Sequence, residues 1–285
     1  MRRFFTLLIV IGLALPAFAQ DSNEWMFSGY FQGSTSSSGV VAKIDPTLGY
    51  SFKRHFQAYT GLPVYLVKQS SETTSTLQNP SSFMAGIGNA YVGLSFGIDN
   101  DTVNFISTLE ATAPTGDKDK GFSTGSATID WTNSISRRFS SITPFGSIGV
   151  ANTVSDTSFF VRPFSSLGLV SHFDGGAKYS LSPAVDIAAS AYAVRAAGEQ
   201  RIISKVLKRP AITSAQVTPR AQGDARVFDT GGEIIGTAQL ANDYGFSTWL
   251  EAHTGSTVSF QAGYTRSAGY DLNSLFFGIG FRIGH

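Results

Sequence analysis

The sequence predicts an all-β protein, a transmembrane antiparallel up-and-down β-barrel of twelve strands. Three observations predict it. Apolar and polar residues alternate with period two along much of the chain, charge is scarce although no apolar run is long enough for a membrane helix, and the connections alternate between short and long.

The chain opens with an export signal. Arg2 and Arg3 form a positive start, Phe4 to Leu15 a short apolar core, and Ala17-Phe18-Ala19 a small-x-small cleavage pattern, so residues 1–20 read as a signal peptide and 21–285 as the mature barrel. The apolar core is too short to span a bilayer, and Pro16 interrupts it. Cleavage removes two Arg and no acid, leaving 19 basic against 20 acidic residues. A nearly neutral chain carries no field for nucleic acid. With no Cys in the sequence, neither disulfides nor a lipoprotein anchor are available in the exported compartment.

Charged residues make up 14% of the chain, against about 25% in soluble domains. Gly (30) and Phe (23) are abundant instead. A lipid-facing barrel has this composition, because alternate side chains of each strand face hydrocarbon.

Alternation is clearest in four places. Asn89, Tyr91, Gly93 and Ser95 oppose Ala90, Val92, Leu94, Phe96 and Ile98; Thr257, Ser259, Gln261, Gly263 and Thr265 oppose Val258, Phe260, Ala262 and Tyr264. In 103–113, Val103, Phe105, Leu109, Ala111 and Ala113 oppose Asn104, Thr108, Glu110 and Thr112, with Ile106 and Ser107 as exceptions. Near the end, Phe277, Ile279, Phe281 and Ile283 oppose Gly278, Gly280, Arg282 and Gly284. The same reading places strands near 25–34, 43–53, 56–68, 87–98, 102–114, 126–136, 141–151, 165–181, 184–196, 244–253, 257–267 and 274–284. Connections after even-numbered strands are short, at 54–55, 99–101, 137–140, 182–183 and 254–256. Those after odd-numbered strands are longer, at 35–42, 69–86, 115–125, 152–164, 197–243 and 268–273. This is the asymmetry between periplasmic turns and external loops. Trp25, Tyr50, Phe56, Trp131, Phe139, Tyr179, Trp249 and Tyr264 fall where interfacial aromatic girdles are expected.

No catalytic constellation stands out, and no enzyme activity or cofactor is implied. The four histidines, His55, His172, His253 and His285, lack the spacing of a metal motif, and neither a GxSxG elbow nor a P-loop occurs. Glu110, Asp130, His172, Asp174, Lys178, Glu251, His253 and Arg282 all fall on the polar faces of their strands. They are the lumen and selectivity candidates, reading equally well as a pore lining of both signs or as a network that closes a small barrel.

Residues 109–150 contain Pro114-Thr115-Gly116-Asp117 after a strand, then a Gly-rich stretch and a strand pair joined by a basic turn. This stretch resembles the outer-membrane channel family associated with the meta-pathway of phenol degradation. The resemblance implies passage of small, often aromatic or hydrophobic, compounds. The expected role is therefore passive passage of a small solute across the outer membrane. The alternatives are a structural or surface-interaction barrel with a closed lumen and, third, an outer-membrane enzyme. Expected partners are outer-membrane lipid, lipopolysaccharide, the solute and the barrel-assembly machinery, but no nucleic acid.

The connection 197–243 is far longer than a rim loop needs. Ile202, Ile203, Val206 and Leu207 have helical spacing up to Pro210, which predicts a short amphipathic helix whose Arg201, Lys205, Lys208 and Arg209 are basic. Full exposure of that apolar face is unfavourable. The segment is expected to fold into the lumen as a plug, pairing with acids such as Glu110 or Asp130, or else to lie outside against lipopolysaccharide phosphates.

Overall fold

The computed structural model describes residues 24–36, 38–52, 55–69, 83–100, 103–207, 215–216, 228, 232–255 and 257–284. Residues 1–20, expected to be a signal peptide, and much of 208–231 lie outside the described residues.

The barrel wall begins with β1 (Glu24–Ser36) and β2 (Gly39–Phe52), followed by β3 (Phe56–Gly61) and β4 (Val64–Gln69), then β5 (Phe83–Ile87) and β6 (Tyr91–Asp99). It continues through β7 (Asn104–Thr112), β8 (Thr128–Ser136) and β9 (Ile142–Ala151). After β10 (Phe164–Leu167), it resumes with β11 (Val170–Ser182) and β12 (Val185–Ala196). Three short strands follow, β13 (Gln200–Ser204), β14 (Ala215–Gln216) and β15 (Glu233–Gly236), with a 3-10 helix at Ala238–Ala241. The wall ends with β16 (Asp243–Thr254), β17 (Val258–Ser267) and β18 (Leu272–Gly284). β1 pairs with β2 on one side and β18 on the other, so the antiparallel sheet closes. β3 and β4 share one stave and β5 and β6 another, giving the twelve strands expected. Closure removes both sheet edges from lipid, where an unpaired backbone group would cost several kcal/mol.

Prolines account for the divided staves. β3 pairs with Thr47–Phe52 and β4 with Gly39–Ile44, and the interruption at Leu62-Pro63 lies opposite Asp45-Pro46. Two residues that cannot donate to a ladder thus sit at one break. Gly88 N donates to Pro63 O at 2.7 Å and keeps the neighbouring stave attached. The Pro114–Asp117 turn repairs the second break, at 88–90. Thr115 Oγ1 accepts from Ala90 N at 2.8 Å and donates to Gly88 O, while Gly116 N donates to Asn89 Oδ1.

Leu94, Leu109, Ile129, Trp131, Ile148, Leu250 and Phe277 are exposed on the outer face, whereas Ser28, Gln32, Ser95, Ser247, Glu251, Gln261 and Thr265 are buried on the inner one. Apolar-out and polar-in is the reverse of a soluble core and matches a barrel in lipid. The two irregular residues of β7 obey it as well: Ile106 faces the lumen, and Ser107 accepts from Trp131 Nε1 outside at 3.1 Å. Trp249 departs from the girdle expectation. It is buried inside the barrel, on the same strand face as Glu251.

The short-turn rim is as expected. The opposite rim differs in two places. β1 and β2 run on to Ser36 and Gly39, so only two residues separate them where a loop over 35–42 was expected. The connection 268–271 is four residues where six were expected, and its Tyr270 turns inward, the hydroxyl donating to Leu240 O at 3.1 Å. The single strand expected at 165–181 is two, because the chain joins the wall only at Gly168-Leu169. β10, β13, β15 and β14 form a separate four-stranded sheet.

Candidate functional site

The connection from β9 to β10 folds into the lumen rather than outward. Its tip is a tight turn in which Thr157 and Phe160 exchange backbone hydrogen bonds. Gln32 Nε2 from β1 donates to Thr157 O at 2.6 Å, and Thr265 Oγ1 from β17 donates to Phe159 O at 3.0 Å. The Phe159 ring stacks on Trp249 at 4.7 Å and leans on Phe276 at 5.0 Å. Four strands, β1, β16, β17 and β18, therefore hold one loop across the bore.

The small sheet lies over this loop. Lys205 N donates to Pro163 O and Lys205 Nζ to Arg162 O at 2.9 Å, while Phe164, Phe228 and Tyr270 pack ring against ring. The segment expected to be helical is β13 instead. Ile202 and Ile203 are both buried, which a strand covered on two faces permits, and β13 pairs with β10 and β15. Of the basic plug candidates, Arg201 pairs with Glu233 inside the same segment at 2.5 Å, and Lys208 and Arg209 lie outside the described residues. Lys205 does reach an acid, but it is Asp156 at 3.5 Å, not Glu110 or Asp130.

Asp156 is the hub of the plug. Its carboxylate accepts from Tyr65 OH at 2.7 Å and Arg162 N at 2.8 Å, and lies 3.5 Å from Lys205 and 3.9 Å from Lys43. Burial by itself would raise its pKa, but the two ammonium groups and these hydrogen bonds outweigh burial and hold it below the ordinary carboxylate range. For Lys205 burial is the larger influence and pulls the amine down to about 8, with Asp156 opposing. Lys205 also lies 4.3 Å above the Tyr65 ring. A second anchor joins Arg162 to Asp243 at 3.7 Å, and Asp243 also accepts from Ser267 Oγ and Tyr192 OH.

Two cavities flank the loop. One, of about 370 Å³, is lined by Lys43, Asp45, Tyr59, Tyr91 and Glu110. The other, of about 300 Å³, is lined by Phe159, Phe160, His172, Asp174 and Tyr192. Thr153, Val154, Ser155 and Thr157 line both.

Of the sequence-derived lumen candidates, Glu110 lines the larger cavity and His172 and Asp174 the smaller, and strand register decides which of the eight meet. Tyr59, Gly93, Glu110 and Asp130 stand on one row across β3, β6, β7 and β8. A Cβ on Gly93 would lie 2.0 Å from Tyr59 Cζ. Because that position is glycine, the Tyr59 ring crosses it and its hydroxyl donates to Glu110 at 2.9 Å. In the same manner His172 lies across Gly149 to reach Asp130 at 3.1 Å. Glu110 and Asp130 are thus neighbours along the wall, and of the expected cross-lumen partners His172 meets Asp130. Lys178 joins Glu251 at 2.6 Å, with Asp186 and His253 beside them near the short-turn rim. Arg282 follows Gly278 and Gly280 on the inner face of β18 towards that rim. Sequence reasoning missed Asp156, Arg162 and Lys43. The apolar run Phe159-Phe160-Val161 inside a polar connection was the available signal, since such a run gains from burial.

Among solved structures, an outer-membrane channel from Pseudomonas putida F1 superposes with a TM-score of 0.62 at 11% identity, covering 95% of this chain and 100% of that one. The fold is that of an outer-membrane β-barrel. A NanC porin aligns with a TM-score of 0.49 at 10% identity, over 90% of this chain and 100% of the porin. No protein-family model and no curated protein matches the chain.

Proposed function

We propose that the protein is an outer-membrane channel that passes a small solute passively, with the inserted 152–163 loop as its constriction. The observation that carries this reading is that the loop is the shared wall of two cavities in the lumen. A small solute fits such volumes, and the apolar residues Phe159, Phe160 and Val194 beside the smaller one suit a hydrophobic or aromatic body. The resemblance of 109–150 to the meta-pathway phenol barrels agrees with that solute class. On this reading residues 1–20 are cleaved at export, the assembly machinery inserts the barrel, and the long-loop rim meets lipopolysaccharide.

Planar-bilayer recording tests it. Replacing 156–161 by a short Gly/Ser linker should leave a heat-modifiable, inserted barrel with raised conductance. An inserted variant with unaltered conductance would sink the constriction reading. The second reading, a closed structural or surface-binding barrel, is favoured by the buried pairing of Asp156 with Lys43 and Lys205. It predicts no current steps from the inserted wild-type protein.

A further inference from the structure

At the short-turn rim three side chains from two strands converge on one point. His253 Nε2 lies 3.5 Å from Asp186 Oδ2 and 3.5 Å from Glu251 Oε1, and all three potential ligand atoms fall within 4.8 Å of one another. Around a tetrahedral zinc-class ion, with bonds of about 2.0–2.1 Å, ligand atoms stand about 3.3 Å apart, so two edges of the triangle are already near metal-ligand spacing. Lys178 Nζ binds Glu251 at the other oxygen, Oε2, at 2.6 Å and lies 3.9 Å from Asp186. It therefore holds the far oxygen of the carboxylate, leaves Oε1 facing the imidazole, and competes as a cation for the two acids.

A second observation is independent of this cluster. Gln261 is the direct cross-strand partner of Glu251 on the inner face, and its side chain is buried, 5% exposed. Neither its Oε1 nor its Nε2 has a hydrogen-bond partner among the described residues. A buried amide left without partners is unfavourable, and coordination through Oε1 would satisfy one of its two atoms. His253 is about a third exposed, which leaves a way in from the rim.

We propose that Asp186, Glu251 and His253 form a binding site for a divalent transition-metal ion of the zinc class, with Gln261 Oε1 as a further ligand. With Lys178 charged and His253 neutral, the two carboxylates leave the site one net negative charge for the cation. The imidazole selects borderline transition ions over calcium and magnesium, which take all-oxygen sites. The site does not depend on the channel reading, because it needs only the folded wall.

Untagged, detergent-folded full-length protein titrated with Co²⁺ should show a saturable visible absorption at one ion per chain, bleached by Zn²⁺. His253→Ala should lower affinity at least 100-fold, Gln261→Ala about tenfold, and Lys178→Met, which removes a competing cation, should raise it. X-ray absorption on the wild-type zinc form should require one imidazole in the coordination shell, which keeps the test decisive if His253→Ala does not fold. No saturable absorption from folded protein, equal binding by His253→Ala, or an oxygen-only shell overturns the proposal.

Discussion

Replacing Asp156 by Asn removes the charge at the centre of the plug while keeping the shape of its carboxylate. Asp156 faces two buried ammonium groups, but Lys43 keeps Asp45 at 2.9 Å. The group left uncompensated is Lys205, held then only by Arg162 O and the Tyr65 ring. Breaking a buried ion pair by removing one partner costs about 3–5 kcal/mol. The upper end is capped by deprotonation, since carrying a lysine neutral at pH 7 rather than at its ordinary 10.5 costs about 5 kcal/mol. Arg162–Asp243 and the Phe159 stack remain, so the penalty falls on docking of the loop and not on the closed wall. The docked-to-open equilibrium should shift by about two to three and a half decades. Single-channel recording of Asp156→Asn should show longer and larger openings, with heat modifiability unchanged. The pH dependence of the wild type follows from the same groups. Asp156 titrates below its ordinary value, so its stabilisation is complete above about pH 4 and is lost as pH falls through the lower, docked value. Lys205 at about 8 binds fewer protons when docked, so docking strengthens as pH rises from about 8 to 10.5. Openings should therefore be most frequent in acid and decline in alkali. A folded Asp156→Asn channel with wild-type conductance and dwell times would refute the hub.

Leu94→Arg, on the exposed outer face, should cost ~2–4 kcal/mol in a urea titration in lipid, and Ser95→Arg, on the inner face, clearly less. Equal losses would overturn the face assignment. Joint replacement of Glu110 and Asp130 by Gln and Asn removes two neighbouring inner-face carboxylates, of which only Asp130 meets an imidazole, and should reduce cation preference, read as a reversal potential in a salt gradient. Gly93→Ala puts a methyl where the Tyr59 ring lies and should cost about 1–3 kcal/mol. Combining it with Tyr59→Phe should cost less than the two changes summed, and additive losses in urea midpoints would count against the ring-over-glycine contact.

The barrel was legible in the sequence because its cause is local. Strand side chains alternate by geometry, and lipid on one side and water on the other turn that alternation into a pattern of residue types, as at Leu94 and Ser95. The same pattern put Glu110, Asp130, His172 and Glu251 on the inner face, but it says nothing about which strand they reach across. Their partners depend on register and on glycines such as Gly93 and Gly149, which let Tyr59 and His172 lie along the wall. The plug was hidden for a related reason. A connection has no periodicity, so the turn at Phe159 and Phe160 and the convergence of Lys43, Asp156 and Lys205 from three separate parts of the chain exist only once the barrel has closed around them. Ile202 and Ile203 illustrate the limit from the other side: their need for burial was plain from their residue types, but whether they meet it as helix or strand was decided by β10 and β15, the neighbours that happened to have unpaired backbone to share.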